Sequence, residues 1–362
     1  MSKIVISGYY GFANAGDEAM LTAIVGALRQ QEPQVELTVL SGNPSFTEAK
    51  HKVKALPRFN LGQLIGALLE ADLLLSGGGS LLQDVTSSKS LLYYLGVLAL
   101  GELLGKKVVL YAQGIGPIRA TWARRLTGFI CQRADLITVR DDGSLEELKN
   151  MGIEEKRIIV TADAVFSLPP TDAQEGKQIL AKYGKGEKPL IGLALRPWQG
   201  QEKFIPIFAK AAVSIAERYD ADLVFLPFQF AVDRAVADKV LDLLGRWKER
   251  AVVLDRSFSP GEYLSIISNL DLVIGMRLHA LVFAALNKVP FLAVSYDPKV
   301  DRFVNSVGGR VTGDIASITA QELEEAAVRL WQREDAFLAG EIAKLRQEAA
   351  RNIQRVLALI DK

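Results

Sequence analysis

The sequence predicts an α/β protein of two Rossmann-like, doubly wound domains facing across a cleft, and three observations carry that expectation. Short apolar strands alternate with amphipathic helical stretches along most of the chain. The strands are continuous Val/Ile/Leu runs, the pattern of parallel strands buried on both faces. The rhythm breaks once, near the middle, in a chain of 362 residues, against roughly 150 residues for a typical domain.

In order, strands are expected at 3–8 (KIVISG), 35–41, 72–76, 107–113, 135–140 and 157–162, then at 190–196, 222–227, 251–255, 271–276 and 290–296. Helices fill the intervals, at about 17–31, 60–71, 90–105, 120–134, 142–151, 202–219, 231–247, 260–269, 278–287 and 317–333. Such alternation means parallel sheets covered by helices. Residues 167–189 interrupt it with Pro169, Pro170 and a run of charges. The boundary is therefore placed near 168–175, giving an N-terminal domain over 1–168 and a C-terminal domain over 175–334. Two such domains across a cleft is the architecture of the GT-B sugar-transferring enzymes. A long amphipathic helix is expected in the last stretch, 335–362, with packing back on the N-terminal domain as one option.

Composition narrows the function. Lys+Arg is 43 and Asp+Glu 42, so no overall basic excess argues for a nucleic-acid partner. With 49% hydrophobic and 23% charged residues the chain has the material for ordered cores. A single cysteine, Cys131, forbids an intramolecular disulfide and points to a reducing compartment. With only His51 and His279 beside it, a His-rich or zinc-finger metal site is not expected. The start, MSKIVISGYYG, reads as a strand and a glycine turn rather than a signal peptide. The longest apolar run, 91–101, ends at Glu102 and falls short of a membrane span. The expectation is a cytoplasmic protein.

In open α/β sheets ligands sit beyond the carboxyl ends of the strands. Three expected strands end in arginine: Arg140 (LITVRDD), Arg196 (LALRPW) and Arg277 (VIGMRLH). Each alone reads as a surface ion pair, but three at equivalent places suit a small, multiply charged anion held by paired hydrogen bonds. Lys299 would add a fourth positive charge, and Gln229, Asp233 and Asp297 follow strands as well. His279 lies two residues past Arg277, where a strand turns into a helix, and is the leading acid/base candidate. His51, in TEAKHKVK, reads as solvated surface.

Two glycine-rich turns lie in the first half. GYYGFANAGDEA, 8–19, has neither dinucleotide-fingerprint nor P-loop spacing. Asp17 and Glu18 open the following helix, either as caps or as partners of sugar hydroxyls, with Gly11, Asn14 and Gly16 beside them. SGGGSLLQD, 76–84, offers Gly78 and Gly79 for close backbone approach to a ligand, with Gln83 and Asp84 as added polar groups. A tight turn explains it equally. QGIGP, 113–117, is a third turn of this kind.

Together GYYGFANAGDEA, SGGGSLLQD, QGIGP, VRDDGS, LRPW, LPFQ, GMRLHALVFAA and SYDPKV, over about residues 3–305, resemble the polysaccharide pyruvyl transferases. The nearest resemblance is to the CsaB-type enzymes of bacterial cell-wall polymer synthesis and S-layer anchoring. Two departures are Ala164, where proline is expected, and Ala13, where the first loop is expected to carry glycine. The resemblance implies a GT-B-like fold. It also implies transfer of a pyruvyl group from phosphoenolpyruvate to N-acetylmannosamine in a lipid-diphosphate-linked disaccharide. The products are a 4,6-pyruvate ketal and phosphate. The R-L-H segment, here Arg277, Leu278 and His279, would serve the phosphoenolpyruvate site, with Arg140 and Lys299 at further matching positions.

The resemblance makes the N-terminal domain the acceptor side and the C-terminal domain the phosphoenolpyruvate side. His279 would then donate a proton to the vinyl carbon. Arg140, Arg277, Arg196 and Lys299 would hold the two anionic groups, and Asp17 or Asp84 would accept a hydroxyl proton. Phosphoenolpyruvate is a co-substrate; no cofactor and no metal is expected. A nucleotide-sugar glycosyltransferase and a non-enzymatic anion-binding module remain as rivals. The apolar helix near 90–105 suggests a docking surface for the lipid, against the simpler reading of a buried helix. A homo-oligomer and peripheral contact with the membrane are left open.

Overall fold

Two parallel sheets organise the chain in the computed structural model, which describes residues 1–85, 87–332 and 339–360. The first unit comprises Met1–Phe12, Asp17–Leu168 and the chain from Ala343 onward; the second comprises Ala13–Gly16 and Pro169–Ile342.

The first unit runs β1 (Lys3–Tyr10), α1 (Ala15–Gln31), β2 (Glu36–Ser41), α2 (Pro44–His51), β3 (Lys54–Pro57), α3 (Leu61–Glu70) and β4 (Leu73–Ser76). It continues through β5 (Gly79–Leu82), α4 (Ser88–Leu103), β6 (Lys107–Ile115), α5 (Thr121–Cys131), β7 (Leu136–Val139), α6 (Asp142–Lys149) and β8 (Ile158–Val160). The strand order is β3-β2-β1-β4-β6-β7-β8, with β5 alongside β6. Chain direction across the sheet reverses between β1 and β4, which pair from Ile4↔Leu73 to Ser7↔Ser76. Both glycine-rich turns, after β1 and after β4, therefore sit at the switch point where such sheets bind ligands.

The second unit runs α7 (Ala173–Lys182), β9 (Leu190–Ala194), α8 (Gln201–Tyr219), β10 (Asp222–Phe225), α9 (Phe230–Asp242), β11 (Ala251–Val253) and α10 (Pro260–Ile267). Then come β12 (Leu272–Gly275), α11 (Leu278–Leu286), β13 (Phe291–Ser295), α12 (Pro298–Ser306), β14 (Gly313–Asp314) and α13 (Ala320–Trp331). Its order, β11-β10-β9-β12-β13-β14, reverses between β9 and β12. Every residue of β9, β10, β12 and β13 is buried, as the unbroken apolar runs require.

Three short strands and three helices were not legible. β3, β5 and β14 have four residues or fewer and gain their pairing from longer neighbours. Helix α7 lies inside the segment read as a break. Its Ile179 and Leu180 are buried, and Gly176 N–H donates to Ser265 Oγ at 2.6 Å, so it docks on α10. The pairs α2 and α12 each open on a proline at their first turn after a capping Asn43 or Asp297. The last helix, α14, is described over Ala339–Leu357, and residues 335–338 of the expected helix lie outside the described residues. Its Arg346 donates to the Leu168 carbonyl at 2.9 Å and its buried Asn352 to Thr161 at 3.3 Å.

Candidate functional site

The neighbouring strands β9 and β12 end in register, Gly275 beside Ala194. The backbone N–H groups of Met276 and Arg277 both donate to the Ala194 carbonyl. Arg196 and Arg277 thus leave adjacent strand ends at the second switch point. What each then meets differs.

Arg277 is buried against a carboxylate. Its Nε donates to Asp233 Oδ2 at 3.0 Å, and its Nη2 donates to the other oxygen of Asp233 and to Gln229 Oε1 at 3.4 Å. Asp233, 1% exposed in the first turn of α9, also accepts from the Gln229 N–H at 2.9 Å. A two-pronged arginine–carboxylate pair of this kind is geometrically exacting. It orients Arg277 and cancels most of its charge.

The tip of the first glycine loop belongs to this same unit. Asn14 forms an antiparallel bridge with Gln229, and Ala15 N–H donates to the Phe228 carbonyl at 2.8 Å. Asn14 Oδ1 accepts from the Gly16 N–H at 3.1 Å. Gly16 lies flat on the imidazole of His279: a Cβ at Gly16 would stand 2.0 Å from Nδ1. Any side chain at this position would have to move the His279 ring. Ala13 has φ +53, the left-handed region where glycine is at ease, which explains why glycine is the expected residue at that position.

Arg196 is the cation of this group that no carboxylate pairs with among the described residues. Its Nη1 donates to the Tyr296 hydroxyl at 2.9 Å, and its guanidinium lies 4.9 Å from the Tyr296 ring centre and 5.3 Å from that of Trp198. Lys299 stands 5.4 Å from the same Tyr296 ring and 3.4 Å from Asp297. Burial alone would raise the Tyr296 phenol. Lys299, then Arg196 and Arg277, outweigh that and hold it below the usual tyrosine range. The phenol reports a surplus of positive potential. Tyr296 and Trp198 escaped the sequence reading; each follows a strand end beside one of its cations, which is the signal that marks them.

That surplus is measurable. Because folding favours the phenolate, the stability Tyr296 adds sets in as pH rises through its lowered pKa and is fully present only above the ordinary tyrosine range. An ultraviolet titration should show one tyrosine ionising ahead of the rest. Arg196→Gln should move that step to higher pH and Tyr296→Phe should abolish it. An early step that survives Tyr296→Phe would assign it to another tyrosine.

In the first unit the expected residues are largely occupied. Arg140 is buried, with Nη1 on Asp163 Oδ2 at 3.0 Å, Nη2 on Ser80 Oγ at 2.9 Å and Nε 3.6 Å from Asp141. Two carboxylates neutralise it, so the open anion grip expected of Arg140 is corrected to a tie between the second glycine turn and Asp163. Glu18 is 1% exposed and accepts from Gly11 N–H at 2.9 Å, with His51 Nε2 2.7 Å from its other oxygen. Glu18 thus secures the first loop, and His51 is a buried partner rather than solvated surface. Asp84 spends both oxygens on the Arg119 and Ala120 N–H groups, so it braces the QGIGP turn and is not an open base.

The glycines of the second turn are explained by packing. A Cβ on Gly77 would stand 2.3 Å from the Tyr10 hydroxyl, and on Gly78 or Gly79 3.1 Å from Met20. Gly11, φ +80, lies against Ser41 and Asn43 in the same way. Leu278, expected at the substrate, is buried in the core as the first residue of α11. Gln83, half-buried, follows β5, and Asp17, half-buried, opens the first-unit part of α1. A Cβ on Gly79 would stand 3.5 Å from Asp17 Oδ1. Among the described residues no group of three or more His, Cys, Asp or Glu side chains is placed to hold a metal ion.

A positioned histidine beside a cationic, aromatic-walled strand end can deliver a proton to an anionic substrate. The family model for polysaccharide pyruvyl transferase matches residues 14–298. The amylovoran biosynthesis protein AmsJ of Erwinia amylovora is 22% identical over 355 residues, covering 82% of this chain and 84% of that one. Among solved structures, a UDP-GlcNAc 2-epimerase of Methanocaldococcus jannaschii superposes with TM-score 0.67 at 15% identity, over 99% of each chain. The ADP-heptose LPS heptosyltransferase II of E. coli does so with TM-score 0.55 at 16% identity, over 92% of this chain and 99% of that one. At such identities these two describe the fold alone, a GT-B-like pair of parallel-sheet domains.

Proposed function

The chain belongs to the polysaccharide pyruvyl transferase family, and from that premise we propose the specific reaction. It moves a pyruvyl group from phosphoenolpyruvate to N-acetylmannosamine in a lipid-diphosphate-linked cell-wall precursor, as the CsaB-type members do. The products are a 4,6-ketal and inorganic phosphate. The coarser statement, a transferase acting in polysaccharide synthesis, is the family's own.

The observation that carries the donor assignment is Arg196, which no carboxylate pairs with among the described residues, held on Tyr296 with Lys299 5.4 Å from the same ring. Phosphoenolpyruvate brings a carboxylate and a phosphate, and Arg196 and Lys299 are cations suited to receive them. Arg277, oriented by Asp233, presents its remaining edge. His279, its ring against Gly16, protonates the vinyl carbon, which becomes the methyl group. An acceptor hydroxyl adds to the central carbon and loses its proton to Asp17. The carbon–oxygen bond to phosphate breaks, its electrons leaving with phosphate, which the cations stabilise. The second hydroxyl then adds to the cationic carbon that phosphate leaves behind and gives its proton to the imidazole of His279, which closes the ketal and restores the proton donor.

The test is phosphate release from phosphoenolpyruvate, with and without a lipid-linked disaccharide ending in N-acetylmannosamine. Release should require both substrates. Asp17→Asn should depress it while phosphoenolpyruvate binding is kept, since Asn matches Asp in shape and Asp17 lies inside the first turn of α1 rather than at its cap. Sugar transfer from a nucleotide sugar without phosphoenolpyruvate would replace this reading with the glycosyltransferase one. Wild-type turnover in Asp17→Asn would leave Asp17 only its place in the first turn of α1.

A further inference from the structure

Of the eleven large hydrophobic side chains exposed among the described residues, eight lie between Phe59 and Phe129, all in the first unit. They fall on a helical layer. Leu64 and Leu68 of α3, Leu91 to Leu98 of α4 and Ala123 and Ile130 of α5 enter one core cluster, so the three helices cover the same face of the sheet. Phe59 stacks edge-on against Tyr93 of α4, and Lys106 Nζ donates to the Leu69 carbonyl, which joins α3 to α4.

The outward stripes of these helices are apolar where a solvated face carries charge. On α3 the stripe is Leu61, Ile65 and Leu69, at a spacing of four. On α4 it runs Lys89, Leu92, Gly96, Ala99 and Leu103, with Leu103 82% exposed. On α5 and just past its end it alternates in kind: Trp122, Arg125 and Phe129, then Arg133 after the helix, spaced three or four apart. Arg133 lies on the Phe129 ring, 3.7 Å from its centre.

Charge is concentrated in the same place. Residues 59–134, which span α3 to α5, hold seven Lys and Arg, all between 89 and 133, against four acids, Glu70, Asp72, Asp84 and Glu102, a net +3 in a chain whose total is +1. Lys107 and Arg124 are paired with Asp135 and Glu147, while Lys89, Arg119, Arg125 and Arg133 have no salt-bridge partner among the described residues.

We propose that the outer face of α3, α4 and α5 docks on a bilayer surface bearing anionic lipid headgroups. Apolar and aromatic side chains interleaved with Arg and Lys are what such an interface binds: rings and aliphatic chains enter the headgroup boundary, and cations meet the phosphates. A second copy of the chain fits poorly. A two-fold contact would set this face against itself, with Lys89, Arg119, Arg125 and Arg133 of each copy outnumbering the acids Glu70 and Glu102. The proposal adds an attachment to the transferase and does not depend on which donor or sugar it uses. It assigns a location to the first unit and explains why its outer helices expose leucine and tryptophan. None of the described helices is long and apolar enough to cross a membrane, so the contact is with the surface.

The experiment is vesicle co-sedimentation of the full chain, with phosphatidylglycerol/phosphatidylcholine vesicles against phosphatidylcholine alone. Binding to the anionic vesicles should exceed neutral binding by roughly tenfold and weaken with added salt. Arg125→Glu/Arg133→Glu should lower it about tenfold or more, and Trp122→Gln/Phe129→Gln should lower it as well; all four positions are exposed. Tryptophan emission should shift to shorter wavelength on anionic vesicles, and the shift should vanish in Trp122→Phe. Equal binding to both vesicle types, or binding untouched by either double substitution, would overturn the proposal. So would a lipid-free dimer that Trp122→Gln/Phe129→Gln dissolves, which would assign the face to a second copy.

Discussion

His279→Gln should lose roughly 10²–10⁴-fold in phosphate release, the usual contribution of a positioned acid or base, while its melting temperature stays near that of the native chain. The side chain sits on Gly16 at the start of α11 and is half-buried rather than sealed in the core. Glutamine keeps a hydrogen-bonding group in that space and removes the proton that moves near neutral pH. Arg196, Lys299 and Tyr296 remain, so phosphoenolpyruvate affinity should change little. Melting temperature and initial rate are to be measured on one preparation. A destabilised variant with near-native turnover would make His279 a packing residue and move the proton to another group. The complementary substitution, Gly16→Ala, should also slow turnover, because the new methyl displaces the imidazole.

Asp233→Ala is expected to have the largest effect on stability. It strands the Arg277 guanidinium, 8% exposed, without the carboxylate that meets two of its nitrogens. Removing one partner of a buried pair costs about 3–5 kcal/mol. At ~2–4 °C per kcal/mol for a unit of this size, the melting temperature should fall by about 10 °C. Asp233→Ala/Arg277→Met removes both charges and should regain most of that loss, because an apolar replacement of a buried pair is often neutral. The double variant should remain poorly active, since Arg277 no longer presents its edge to substrate. Unchanged melting in Asp233→Ala would mean that water satisfies Arg277 and that the pair does not organise the site.

The arginines expected at strand ends meet different partners. Arg140, Arg196 and Arg277 look alike in one dimension: each follows an apolar run. Asp163 and Asp141 meet Arg140, Asp233 meets Arg277, and an aromatic pair meets Arg196. Asp163 lies 23 residues from Arg140 and Asp233 lies 44 from Arg277, so no local pattern links either pair. His51 misled for the same reason. Its setting, TEAKHKVK, is polar, yet Glu18, 33 positions away, draws it inward. Glycine-rich turns were legible as turns, but their packing on Tyr10, Met20 and His279 was not.

By itself the sequence determined the parallel α/β architecture. Unbroken apolar runs between amphipathic helices leave few other ways to bury both faces of a strand. It also determined that cations and a histidine would gather at strand ends, since backbone direction alone places those residues beyond the sheet. Which cation is left without a carboxylate partner was decided only by the tertiary structure. A charge is compensated by whatever carboxylate lies within hydrogen-bond reach, and that depends on the packing of distant segments rather than on neighbours in the chain. The same holds for the loop tip Ala13–Gly16, written in the first half of the chain and folded with the second unit. Its bridge from Asn14 to Gln229 spans more than 200 residues of sequence, and only the folding of the second unit brings Gly16 against His279.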